Sequence, residues 1–200
     1  EESAGDRPPI GRGAKVPKGR EVEFASLSNQ DTEPARLNSG IGEFDRVLGG
    51  GVVPGSVTLI GGDPGIGKST LVLQALASLA RIGVNLYISG EESAQQIKMR
   101  ADRLKVPEHL ETAAANDRLL FAAETAVEHI IDHARTVSPC VMAIDSIQTM
   151  FTEQMTSAPG SIGQVRECAA QLVALSKQSN LATFLIGHVT KEGAFAGPRV

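Results

Sequence analysis

The chain has 200 residues, 42% of them hydrophobic, and a formal net charge of −4. That length suits one α/β domain with a substantial core plus a tail, and the mildly acidic balance excludes a strongly basic nucleic-acid binder, leaving any such contact to local patches. No apolar run reaches the length of a membrane span and no charged-apolar-small sequence stands at the start, so the expectation is a cytoplasmic chain with no membrane partner.

Residues 1–36 hold Pro8-Pro9, several glycines and scattered charges with little hydrophobic periodicity, and read as a linker or N-terminal arm, partly disordered. Its basic residues Arg7, Arg12, Lys15, Lys18 and Arg20 admit two readings, a nucleic-acid contact or a solvated tail. Folded structure is expected over 37–200. Apolar residues at 41, 44, 47 and 48 have helical spacing, and Gly49-Gly50-Gly51 ends that helix. Pro54-Gly55 then turns the chain into a first strand, Val57-Thr58-Leu59-Ile60, whose β-branched, apolar character fits a buried parallel strand.

Between that strand and a helix expected over 68–81 lies Gly62-Asp63-Pro64-Gly65-Ile66-Gly67-Lys68-Ser69, followed by Thr70. It fits the pattern G-x-x-x-x-G-K-[ST], in which glycines let successive N–H groups converge on a phosphate at a helix N-terminus. Lys68 can then reach the β and γ phosphates, and Ser69 can coordinate Mg²⁺. ATP or ADP with Mg²⁺ is the expected cofactor.

A second strand is expected over Val84–Ser89, followed by Gly90-Glu91-Glu92 and an S-x-x-Q capping box, Ser93 with Gln96, opening a helix to about Leu104. Leu119–Ala122 reads as a third strand, and Val127, Ile130, Ile131 and Ala134 line one face of the next helix. Cys140–Ile144 reads as the fourth strand. Ser161 and Gln164 form a second capping box before a helical stripe of Ile162, Val165, Ala169, Leu172 and Leu175, and Ala182–Ile186 completes a fifth strand. Strands alternating with helices imply an α/β fold with a mostly parallel central sheet flanked by helices. Cys140 and Cys168 form no C-x-x-C pair and sit in apolar settings, which predicts buried free thiols.

The fourth strand ends in Asp145, a carboxylate placed to hold Mg²⁺ through its water shell. Hydrolysis also needs a group that orients and deprotonates water. Glu91, directly after the second strand, is the chosen candidate, with Glu92 as the neighbour that could replace it; both could instead only favour the helix N-terminus. His188 follows the fifth strand, where a polar side chain can face the γ-phosphate. Loops 152–160 and 190–198 lie beyond the carboxyl ends of strands, the edge where open α/β sheets bind ligands, and the second offers Lys191, Phe195 and Arg199 to a nucleic acid. Either could equally be an ordinary mobile loop.

Four segments read together, Ser39-Gly40-Ile41-Gly42-Glu43-Phe44-Asp45-Arg46-Val47-Leu48-Gly49-Gly50-Gly51, the phosphate loop, Ser89-Gly90-Glu91-Glu92-Ser93 and Gly187-His188-Val189-Thr190-Lys191-Glu192-Gly193, resemble the bacterial RadA (Sms) family of DNA repair proteins. The phosphate loop is generic; the combination of the other three is specific to that family, and the match spans about residues 37 to 200. The resemblance implies a RecA-like ATPase core. It implies that Glu91 activates water, that Asp145 serves the metal, that His188 senses the γ-phosphate, and that the loops after the fourth and fifth strands line the axis of a ring and bind single-stranded DNA. It further implies a homo-hexamer in the intact protein, branch migration of recombination intermediates on branched DNA alongside the RecA recombinase, and a location at the bacterial nucleoid.

The same resemblance places a four-cysteine zinc module ahead of this chain, and a Lys-Asn-Arg-Phe-Gly motif and a protease-like domain beyond Val200. Zinc is therefore expected only in that module, and weak turnover with weak or absent hexamer formation is expected of the 200 residues alone. Two competing readings are an ATP-gated assembly module with little hydrolysis and a phosphotransferase similar to the clock ATPase KaiC.

Overall fold

The computed structural model describes residues 35–106 and 117–188. Most of the N-terminal arm and the whole loop 190–198, with Lys191, Phe195 and Arg199, lie outside the described residues. Leu37 and Val52 exchange backbone hydrogen bonds of 2.8 Å, closing the segment that carries helix α1, Gly42–Val47.

Five strands form one sheet: β1 Val57–Gly62, β2 Asn85–Ser89, β3 Leu119–Ala123, β4 Val141–Asp145 and β5 Ala182–His188. Their spatial order is β1-β5-β4-β2-β3, and every pairing is parallel. Among the described residues the connecting helices are α2 Lys68–Leu79, α3 Ala94–Arg103, α4 Val127–Val137 and α5 Ile162–Ser179, with a 3-10 turn at Ile147–Thr149. All residues of β2 and β4 are buried, which is why those strands read as near-continuous apolar runs. Alternate strand residues feed two cores. Tyr87, Val141, Ala143, Phe184 and Ile186 pack with α2 and α3 on one face, while Leu86, Ile88, Met142, Ile144 and Leu185 pack with α4 and α5 on the other.

Three strands are longer than expected, β3 by Ala123 alone. β1 continues through Gly61 and Gly62, and β5 through Gly187 and His188, because those residues pair with one another in register. Glycine has little intrinsic preference for a strand, so only the neighbouring strand extends both. His188 is consequently the last residue of β5 rather than a loop residue after it. Likewise α5 runs past Leu175 to Ser179, where Asn180 adopts a left-handed φ of 53° as its C-cap.

The Ser93–Gln96 box forms reciprocally, with Gln96 N–H donating to Ser93 Oγ and Ser93 N–H donating to Gln96 Oε1. The Ser161–Gln164 pair is only half a box. Ser161 Oγ accepts from the Gln164 amide, but the Gln164 side chain turns away into the protein, where it is 1% exposed. Its Oε1 accepts from Thr152 N–H at 2.8 Å, and its Nε2 donates to the carbonyls of Thr152, Met155 and Ser157. The buried amide outcompetes the cap because it satisfies loop backbone that has no strand or helix partner.

Both cysteines are free thiols; Cys168 is buried and Cys140 half-buried. Burial, then the charges of Glu128 and Glu167, push the Cys168 thiol up to about 11. No helix among the described residues is long and apolar enough to cross a membrane.

Candidate nucleotide site

The carboxyl ends of β1, β5, β4 and β2 lie side by side and carry the chemistry. Register sets Gly62 beside His188 and Ser89 beside Asp145, so residues remote in sequence meet at one sheet edge. Between β1 and α2, Gly65 and Gly67 take left-handed φ values of 79° and 97°. A Cβ at either would meet nothing within 4 Å, so conformation rather than space demands glycine there. Gly67 is the N-cap of α2 and supplies no side-chain cap, which leaves the first-turn N–H groups of the helix available to an anion.

Lys68 is 7% exposed. Its Nζ donates to the carbonyls of Gly62 and Asp63 at 2.8 Å each and lies 3.5 Å from His188 Nδ1. An ammonium only donates, so Nδ1 acts as the acceptor and the ring proton resides on Nε2. That Nε2 lies 3.2 Å from Glu91 Oε1, to which it donates. Ser146 Oγ donates to the same Glu91 oxygen at 2.6 Å. Lys68, His188, Glu91 and Ser146 therefore form one hydrogen-bonded chain.

The loop bearing Glu91 is fixed from both sides. Ser89 Oγ accepts the backbone N–H groups of Glu91 and Glu92 at 3.2 and 3.0 Å, and the Gly90 N–H donates to the Asp145 carbonyl at 2.8 Å. Gly90 packs against the 3-10 turn so closely that a Cβ would stand 2.1 Å from Thr149 Oγ1 and 2.7 Å from Thr149 Cβ. Gly90→Ala is therefore expected to destabilise the chain by about 2 kcal/mol and to displace Glu91, measurable as a lower urea midpoint together with a lower rate of phosphate release.

The two glutamates, interchangeable in sequence, have different partners. Glu91 faces Ser146 and His188, whereas Glu92 pairs with Arg100 at 2.6 Å. Asp145 is 4% exposed, and its Oδ2 accepts a hydrogen bond from the Tyr87 hydroxyl. Burial above all, then the Asp145 charge, raises the Tyr87 phenol far above its ordinary pKa, so it acts as a fixed donor.

These side chains border a cleft of about 390 Å³. Its walls include Pro64, Gly65, Gly67, Lys68, Ser69 and Thr70 from the loop and helix start, with Glu91, Glu92, Arg100, Asp145 and His188 opposite. Gly62 and Asp63 act through their carbonyls on Lys68, and Ile66 stands exposed to solvent. The donor set fits Mg²⁺: a hydroxyl and a carboxylate are hard oxygen ligands, and Mg²⁺ in nucleotide sites keeps waters and phosphate oxygens as its other ligands. Among the described residues no group of three or more His, Cys, Asp or Glu side chains is placed to hold a metal on its own.

Ser146, Tyr87 and Arg100 escaped the sequence reading. Ser146 directly follows Asp145, and Tyr87 is the single tyrosine of the chain, set in an apolar strand. A buried hydroxyl needs a partner, which was the available signal. Arg100 gave no signal, because only the fold of α3 against β2 brings it to the cleft.

Comparison with known proteins agrees with the resemblance carried by the motifs. A family model described as an AAA domain matches residues 24–194. The DNA repair protein RadA of Pseudomonas aeruginosa is 54% identical over 193 residues, which are 96% of this chain and 41% of that protein. RadA of Bacillus subtilis is 49% identical over 174 residues, 86% of this chain and 36% of that protein, and RadA of a Synechocystis strain is 46% identical over 200 residues, 94% and 40%. The chain thus spans about two fifths of the length of these curated relatives. With its all-parallel sheet, its phosphate loop and this likeness over most of its length, the chain has a RecA-like α/β P-loop fold and belongs to the AAA domain family as a RadA-like member.

Proposed function

We propose that the chain is the ATP-binding and ATP-hydrolysing core of a DNA repair ATPase. The observation that carries this reading is the hydrogen-bonded chain Lys68–His188–Glu91–Ser146, whose first three members line the phosphate-loop cleft. In the proposed reaction the N–H groups of Gly65, Gly67 and the first turn of α2 bind phosphate oxygens, and Lys68 offers its charge to the β and γ phosphates. Mg²⁺, held by Ser69 and through water by Asp145, would neutralise charge on the transferred phosphoryl group. Glu91 accepts a proton from the attacking water, and Ser146 orients its carboxylate. His188, between the cation and the base, is placed to register the γ-phosphate at one end and adjust Glu91 at the other.

The name of the relatives extends the reading to DNA repair. We place single-stranded DNA at the loops after β4 and β5, branched recombination intermediates as the substrate, hexamer formation in the longer protein, and the RecA recombinase as partner. Residues 152–160 contain no Lys or Arg and include Glu153, so of these two loops the one beyond β5, with Lys191 and Arg199, supplies the electrostatic grip on DNA. Phosphate release measured with and without single-stranded DNA tests the proposal. A rate raised by DNA is expected; nucleotide binding without release in either condition would favour an ATP-gated assembly module instead, and radiolabel transferred onto the protein would favour a phosphotransferase.

A further inference from the structure

Tyr87 and Arg100 have no part in the steps above, yet they join Asp145 directly. Tyr87 is fully buried within the core cluster that α2 and α3 cover, with Phe121 edge-on to its ring at 6.3 Å. A phenylalanine would fill the same space without burying a hydroxyl, so the hydroxyl needs an explanation beyond packing. It donates to Asp145 Oδ2 and accepts from Arg100 Nη2 at 2.9 Å. Arg100 meets Glu92 at 2.6 Å and lies with its guanidinium carbon 5.4 Å from the centre of the Tyr87 ring. The polarity of the chain is fixed: arginine can only donate, so the phenolic proton must point to Asp145. The parallel register supports it, since Tyr87 stands beside Ala143, two residues from Asp145 on the same face of the sheet.

We propose that Glu92, Arg100 and Tyr87 are a positioning relay for Asp145. Glu92 fixes Arg100, Arg100 fixes the Tyr87 hydroxyl, and the hydroxyl occupies one carboxylate oxygen so that the other is reserved for the hydrated cation beside Ser69. Glu92 is then the outer anchor of the relay and not a substitute for Glu91. The inference rests on the reading of Asp145 as the carboxylate that serves Mg²⁺.

The experiment measures affinity for a non-hydrolysable ATP analogue with Mg²⁺ and with EDTA, on the 200-residue chain and on Tyr87→Phe, Glu92→Gln and the double variant. The ratio of the two affinities reads how strongly cation and nucleotide support one another. For Tyr87→Phe, the affinity in EDTA should stay within about twofold while the gain from Mg²⁺ falls about tenfold, the loss of a hydrogen bond to a charged group. Glu92→Gln, at a partly exposed position that threatens the fold little, should lower the gain about twofold, and the double variant should match Tyr87→Phe alone, because both act along one chain. A purely structural tyrosine would lower the melting temperature and leave the ratio unchanged, and that result would overturn the relay. Independent, multiplying effects of the two substitutions would also overturn it. If the unsubstituted chain gains nothing from Mg²⁺, the assignment of Asp145 fails first, and the relay with it.

Discussion

Glu91→Gln is expected to slow ATP hydrolysis by about 10² to 10⁴-fold in single-turnover measurements while leaving ATP affinity within about twofold. Single-turnover conditions suit the test, since excess protein reports the chemical step alone. The substitution is nearly isosteric and conserves both contacts of the carboxylate: a glutamine carbonyl still accepts from Ser146 Oγ and from His188 Nε2. The Glu91 side chain is 42% exposed, so little packing is at stake and the melting temperature should move by no more than about 2 °C. What disappears is the proton acceptor. A variant that hydrolysed ATP at the unsubstituted rate would exclude Glu91 as the base, and Glu92→Gln, tested beside it, should leave the chemical step within about fivefold.

Lys68→Ala is expected to weaken ATP binding by about 100-fold or more, read by equilibrium titration of a fluorescent nucleotide. Two effects combine. The variant removes the cation offered to the phosphates, and it removes the donor that holds the carbonyls of Gly62 and Asp63 inward, so the loop loses its internal brace. Lys68→Met separates charge from packing, because it retains the aliphatic stem that lies against Gly62. Methionine should therefore match alanine in lost affinity but keep a melting temperature within about 3 °C of the unsubstituted chain. Intact binding in both variants would remove the basis for a phosphate-loop site here.

The architecture was legible because each strand carries its own local signal. Leu86-Tyr87-Ile88 and Met142-Ala143-Ile144 are apolar runs bounded by turn or cap residues, and such runs alternating with helical stripes admit few topologies. The outer residues of the site were legible for a related reason: Lys68 and Ser69 belong to a motif, and Glu91 and Asp145 stand at or just past strand ends. What the sequence left open was pairwise. Glu91 and Glu92 differ through Ser146 and His188, 55 and 97 positions from the first, and Arg100, eight positions from the second. The extension of β5 to His188 required its partner Gly62, and the failure of Gln164 to close its capping box required a loop whose carbonyls needed a donor. Each depends on contacts that no local pattern encodes.

The buried Gln164 amide has a mechanical consequence. Four hydrogen bonds tie the backbone of Thr152, Met155 and Ser157 to a side chain rooted in the first turn of α5, so this stretch and the helix form one body. An 18-residue helix is about 27 Å long, and a load applied to the loop enters it at one end and leaves at the other. Along the way α5 lies against the sheet face beneath β4 and β5, the strands whose tips carry Asp145 and His188. A displacement of the loop is therefore expected to reach the sheet first through the N-terminal turn of α5.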